Sequence, residues 1–307
     1  MTEPILFQGP ASAGVVASGR RWGVGPRLVR MPGFWIGLAI LTVFVVMAVV
    51  PAVVVGPSPA SADPRDCALR DDAGGFQDRL RPSREHWLGT DVRGCDYYAQ
   101  LVYGARASIA TGLLATALAS SIGLVLGALA GLKGGWVDRV IGGAVDVVLG
   151  FPFFVGAITL LALGGDGRRT VPQVALAIGA LAWPAHVRVV RTSVLQAKQL
   201  TYVDAARSIG ASELRVLVVH ILPNAVTPLV VVAALTVAGV IGAEAALSYL
   251  GVGVQFPTIS WGLMVQSAQP LLRDAPHLMV FPAACISLAV LGCLLLGDAL
   301  QDALEDS

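Results

Sequence analysis

Six stretches of this chain run for a membrane's thickness with no Asp, Glu, Lys or Arg, or with only one. The hydrocarbon core of a bilayer, ~30 Å thick, needs about 20 such residues in helical form. The stretches lie within residues 31–62, 107–132, 140–165, 170–187, 223–243 and 275–297, and only Asp146 interrupts the third. A helix satisfies its backbone N–H and C=O groups inside its own segment, as lipid requires of a continuous apolar run of this length, so these runs predict an all-α polytopic membrane protein with six transmembrane helices. Composition agrees: 55% of residues are hydrophobic and 13% charged, against about 25% charged in soluble domains. An ordinary soluble fold is excluded. A net charge of +1 leaves no basic field for nucleic acid, and that class of partner is excluded with it.

Positive charge flanking the first helix sets the orientation. Arg20, Arg21, Arg27 and Arg30 precede it and only Arg65 follows closely, which predicts a cytoplasmic N-terminus. With six spans the C-terminus falls on the same side, and so do Lys133, Arg139 and the basic 188–224 connection. The layout is then a cytoplasmic tail at 1–32, a first helix at 33–55 and an external segment at 56–106. A five-helix core at 107–300 holds a cytoplasmic loop at 191–224, and a short cytoplasmic tail follows at 301–307. The external segment's seven arginines, counted from residue 63, are balanced by eight acids. Ala60-Ser61-Ala62 resembles a signal-peptidase site, but the apolar run before it is longer than the about 7–15 residues of a cleavable signal, which predicts an uncleaved anchor. The first 30 residues have no apolar period and read as a mobile tail. Within them Leu6-Phe7-Gln8-Gly9-Pro10 resembles a viral 3C-protease cleavage sequence, either an engineered remnant or a chance match.

Much chemistry is missing. The two lysines, Lys133 and Lys198, sit in no Gly-x-x-x-x-Gly-Lys-Ser/Thr context, so the chain has no phosphate-cradling loop and ATP hydrolysis is not expected of it. His86, His186, His220 and His277 have no metal-ligand spacing. No nucleophile elbow occurs, and the acids inside the apolar runs, Asp146 and Glu244, are isolated from each other. Cys67 and Cys95 share the external segment, where an oxidising compartment favours a disulfide; two unrelated thiols are the alternative. Cys285 and Cys293 read as small apolar residues of the sixth span.

The most informative stretch is the 201–224 loop. Thr201 is placed to cap a short helix, with Asp204 closing a capping box, and Gly210 supplies the left-handed residue that ends it. Ser212 and Glu213 start a second helix and Pro223 marks entry into span five. A two-turn helix with Ala205 and Ala206 between Val203 and Ile209 buries little by itself and suits a groove on another protein; a plain surface loop is the blander reading.

These residues carry a resemblance. Asp204-Ala205-Ala206, Gly210 and Leu222-Pro223 are similar to the coupling motif of bacterial ABC-importer permeases, with Asp in place of Glu at its first position and His220 where Ile is expected. Two further stretches resemble the dipeptide, oligopeptide and nickel permeases, in particular the second of the two permeases in such systems. One is His86-Trp87-Leu88-Gly89-Thr90-Asp91 with Gly94, Asp96 and Tyr103-Gly104-Ala105-Arg106; here Cys95 replaces the usual Arg. The other runs from Glu244 to Gln255, with Pro257, Ser260, Trp261 and Gly262. The resemblance covers residues 34–298 and implies several things. The chain would be one half of the membrane channel of a binding-protein-dependent importer in the bacterial inner membrane, paired with a homologous permease. ATP and Mg would be bound by one or two separate cytoplasmic ATPases and no cofactor by this chain. Tyr202, Val203, Asp204, Ala205, Ala206, Arg207, Ile209, Gly210, Leu222 and Pro223 would form the ATPase contact. An external binding protein would deliver cargo near His86, Trp87, Gly89, Asp91, Asp96, Gln255, Pro257, Trp261 and Gly262. The cargo class is peptides, with nickel, haem and glutathione open; an ion-driven transporter or channel, an exporter and a structural membrane subunit are the competing classes.

Gly123, Gly127 and Gly131, four residues apart, let a neighbouring helix approach closely. Asp146 and Glu244 are costly in lipid and are candidates for a translocation pathway. For Glu244, fixing the external loop by hydrogen bonds is the equal alternative. His186 reads as a satisfied polar residue, Asp298 as interfacial, and Trp22, Trp35 and Trp183 as interface anchors.

Overall fold

The computed structural model describes residues 27–55, 80–84, 86–165 and 169–305. Their regular structure is helical, with one isolated β-bridge between Thr90 and Asp96. Helix α1 spans Pro32–Val49 and the single-turn α2 Pro51–Val55; α3 is Tyr97–Lys133, α4 Gly135–Gly150, α5 Phe153–Leu163 and α6 Val171–Ala197. Then come α7 (Thr201–Ser208), α8 (Glu213–Arg215), a π-helical stretch Val216–Ile221, α9 (Leu222–Tyr249), α10 (Trp261–Ala268) and α11 (His277–Glu305). Among the described residues five helices are long and apolar enough to cross a membrane: α1, α3, α6, α11 and the continuous Glu213–Tyr249 helix. The pair α4 and α5, bent by 94°, makes a sixth crossing if counted as one. The expectations for the N-terminal tail, Leu6–Pro10, Trp22, Ala60–Ala62 and the Cys67–Cys95 pair fall wholly or partly outside the described residues.

Helix α3 is the spine. Asp96 caps it by accepting the Ala99 N–H at 2.9 Å, and 37 residues at about 1.5 Å each give ~55 Å, well beyond one hydrocarbon core. Its partner is α6. Between hydrocarbon-immersed helices there is little hydrophobic drive, so close backbone approach must supply the dispersion energy. The glycine stripe permits it: a Cβ on Gly127 would stand 2.7 Å from Val190 Cβ, and one on Gly131 2.7 Å from Val194 Cβ. Helix α6 reciprocates at Gly179, where a Cβ would be 2.8 Å from the Ala115 carbonyl oxygen. The same device joins α1 to α11, since a Cβ on Gly37 would lie 2.8 Å from the Gly292 oxygen. That antiparallel pairing puts the start of α1 and the end of α11 at one end of the bundle.

Helix ends differ from the expected span borders. Helix α3 starts ten residues before residue 107, α6 continues ten beyond residue 187, and α11 takes in 301–305, expected as tail. Absence of charge marks the depth of lipid, not the limits of a helix, and charged turns persist beyond the membrane. The third span is the larger departure. Proline restricts the residue before it to extended backbone, Phe151 adopts φ −92° and ψ 132°, and Phe151–Pro152 breaks the helix.

Candidate functional site

At the end of the bundle where α6 finishes, Lys198 Nζ donates to the carbonyls of Gly131 and Leu132 (3.1 and 2.9 Å) and ties α6 to the close of α3. The chain turns at Leu200, in extended conformation, so Thr201 is already the first residue of α7. The expected Thr201–Asp204 capping box is therefore not formed. Asp204 instead faces Arg207 at 3.6 Å. Gly210 does close the helix, at φ +88°: its N–H reaches the Arg207 carbonyl (2.9 Å) and the Ala211 N–H the Ala206 carbonyl (3.1 Å), the paired bonds of a Schellman ending. Ser212 caps α8 by accepting the Arg215 N–H at 3.4 Å.

This hairpin is clamped to the spans. Arg207 donates to both Glu213 carboxylate oxygens (3.0 and 3.2 Å), and that carboxylate holds the guanidinium above its ordinary pKa. Tyr202 donates its hydroxyl to the His220 carbonyl at 3.3 Å and accepts from Asn224 Nδ2 at 2.6 Å. The wide π turn it grips precedes Pro223, which has no N–H to give an ordinary helical bond. Val203 and Ala206 face inward, packed with Val190, Val194, Val216 and Ile221. Their side chains fasten α7 to its own bundle. The outward face is Asp204, Ala205 and Ile209, the last 87% exposed, continued by Leu214. Leu222 and Pro223 are half-buried beneath the hairpin, and Gly210 is exposed.

At the opposite end the 86–106 and 244–262 stretches fold into one collar. His86 Nδ1 and Asp96 Oδ2 lie 3.0 Å apart, both buried. Asp91 Oδ1 accepts the N–H groups of Arg93 and Cys95 (2.7 and 2.9 Å), and its Oδ2 accepts from Gln100 Nε2 at 2.9 Å. Gly89 has φ +80°, and a Cβ there would run into the Leu80 carbonyl. Trp87 is exposed against Tyr98. Trp261 is wholly buried, its Nε1 donating to the Leu101 carbonyl at 2.9 Å and its ring edge-on to Phe44. Gly262 lets α10 sit against α9, since a Cβ would be 2.7 Å from Ala245 Cα. The Gln255 N–H donates to the Arg169 carbonyl at 3.1 Å, and the exposed Pro257 follows a cis bond.

Glu244 joins the collar to the helices. Its Oε1 accepts from Ser248 Oγ (2.8 Å) and Ser260 Oγ (2.9 Å), and its Oε2 from Ser108 Oγ (3.2 Å). Ser108 in turn accepts the Trp261 N–H at 3.2 Å. One buried carboxylate thus links α3, α9 and the start of α10.

Residues 123–307 match the family model described as binding-protein-dependent transport system inner membrane component. The chain belongs to this family. Among relatives, it is 42% identical over 230 residues to the glutathione transport system permease protein GsiD of Pectobacterium atrosepticum, covering 74% of this chain and 75% of that one. It is 35% identical over 271 residues to the dipeptide transport system permease protein DppC of Alkalihalophilus pseudofirmus, covering 88% and 84%. The family is one of membrane permease subunits of ABC importers, not of enzymes.

The remaining polar residues of the permease divide by location. Asp146 is on an exposed face of α4 and pairs with Arg188 at 2.9 Å, both side chains more than half exposed. Asp138 and Arg191 form a two-pronged ion pair between α4 and α6; nothing in two charges 53 residues apart signals it in the sequence. His186 is buried at the Gly123 crossing, with Nδ1 3.2 Å from the Ala182 carbonyl and Nε2 3.4 Å from Thr236 Oγ1. Thr236, Gly239 and Ala243 of α9 line a cavity of about 340 Å³ with Phe153 and Phe154, next to the Phe151–Pro152 break. The sequence signal for that feature was the Phe-Pro pair. Among the described residues no cluster of three or more His, Cys, Asp or Glu could hold a metal.

Proposed function

We propose that this permease is the second membrane subunit of a bacterial inner-membrane importer for short peptides, with the α7 end in the cytoplasm and the collar outside. The carrying observation is the two-sidedness of the hairpin: Val203 and Ala206 lock it to α6 and α9, while Asp204, Ala205 and Ile209 present a small face to solvent. Such a face fits a groove on a cytoplasmic ATPase that binds ATP and Mg, and the lock makes the hairpin a lever that moves the spans as ATPases close. A homologous permease completes the channel, and an external binding protein docks on the collar. Relatives named for glutathione and dipeptides support a peptide-sized cargo; nickel and haem are the alternatives within the family. Cys67 pairs with Cys95 in this reading. The pathway follows the α4–α5 break and the Thr236–Ala243 groove, because irregular backbone at membrane depth must face protein or water. Glu244 then fixes the collar, and Asp146 is an edge residue.

Gentle purification from the native membrane tests this reading. The wild-type chain is expected to bring down a second permease and P-loop ATPases. Asp204→Arg should melt at the wild-type temperature and keep the second permease, yet lose the ATPases and ATP-driven peptide uptake in vesicles. Normal uptake by that variant would remove the docking role from the hairpin.

A further inference from the structure

We propose that the groove between α5 and α6 binds an anionic phospholipid of the surrounding bilayer, with Arg169 as the headgroup ligand. The cavity there is about 380 Å³. Its polar lining, Arg169 and Gln173, lies at the loop end, and Leu160, Leu161, Leu176 and Ala180 wall the rest. Among the described residues Arg169 Nε is buried without a hydrogen-bond partner, and none of the described residues that line the cavity is acidic. A guanidinium is always charged, and buried polar groups without a partner are rare enough to require an explanation. An anion supplies it. Gln173 Oε1 accepts the Thr170 N–H at 2.8 Å, which leaves its amide nitrogen to donate to a ligand oxygen.

The walls choose the kind of anion. A soluble phosphate or carboxylate would answer Arg169 and leave the leucines unmatched, whereas a phospholipid carries its phosphate on acyl chains. From Val171 to Ala180 the groove follows nine steps of helix, ~14 Å at about 1.5 Å each, close to the ~15 Å of one leaflet's hydrocarbon. Leu163 and Leu176, 78% and 61% exposed, leave it open at the side. Helix α6 meets α3 through Gly179 and His186, a different face from Leu176 and Ala180, so the groove lies outside the helix core. Charge-assisted bonds from the guanidinium to the phosphate oxygens would hold the headgroup.

The test uses the assembled transporter, reconstituted in equal amounts of phosphatidylethanolamine and phosphatidylglycerol, re-extracted and examined by native mass spectrometry. Wild type is expected to retain phosphatidylglycerol. Arg169→Gln should retain it roughly tenfold less or weaker still, the loss expected for a charge-assisted contact, with phosphatidylethanolamine unchanged. Leu176→Trp, which fills the groove and keeps the charge, should expel the lipid too; melting curves confirm that each variant is folded. Equal retention by the wild type and both variants overturns the site. So does displacement of the lipid by inorganic phosphate alone, which would mark a soluble-anion site, or loss of the second permease from Arg169→Gln with no lipid on the wild type, which would mark a subunit contact.

Discussion

Glu244 and Asp146 are each a lone acid in an apolar run, and their surroundings separate them. Three hydroxyls from α3, α9 and the α10 cap converge on Glu244, while Asp146 meets one exposed arginine. A buried group left without its partner costs about 1–3 kcal/mol. Glu244→Ala orphans Ser108, Ser248 and Ser260 together and opens a cavity, for an expected loss of about 3 kcal/mol or more. Glu244→Gln keeps an acceptor and should lose less. Thermal unfolding of the purified permease should rank wild type, Gln and Ala in that order, with Asp146→Asn close to wild type. Coincident curves for all of them would show that the hydroxyls do not depend on the carboxylate.

At the scale of elements, packing was legible, whereas a proline by itself does not tell a broken helix from a continuous one. The four-residue glycine repeat announces a close crossing, and α6 fills it with Val190 and Val194. Gly127→Ala puts a methyl 2.7 Å from Val190 Cβ and 2.8 Å from the Val187 carbonyl, an overpacking expected to cost about 1–3 kcal/mol. Gly143→Ala on α4 has nothing within 4 Å and should be neutral or slightly stabilising, since Ala favours helix by about 1 kcal/mol over Gly. Melting temperatures of the two variants check this, and a neutral Gly127→Ala would mean that the crossing yields easily. Prolines show the converse. Pro184, Pro228 and Pro282 lie inside continuous helices, whereas Pro152 ends one. The residue type is the same; at Phe151 the residue before the proline takes the extended backbone that ends a helix.

For the whole molecule, the collar depends on long-range closure. Cys95 is buried beside Asp91 and Asp96, and a bond from it to Cys67 would stabilise the external segment by roughly 3–4 kcal/mol in the chain-entropy model. Alkylation of the denatured, unreduced chain should label Cys285 and Cys293 alone, and prior reduction should add two labels by intact mass. Four labels without reductant would exclude the bond.

Hydropathy by itself determined the all-helical membrane architecture, because apolar runs of about 20 residues match a bilayer's thickness as helices, whose backbone hydrogen bonds are satisfied within the segment. Short motifs determined the family reading, because the 201–224 hairpin and the parts of the collar are contiguous stretches whose turns need particular residues, Gly210 and Gly89 among them. Tertiary structure alone decided which face of α7 is exposed, that Asp138 meets Arg191, and that Arg169 Nε has no partner among the described residues beside an apolar groove. Each of these depends on segments far apart in sequence coming together, and a pattern local to one segment contains no information about what will be packed against it.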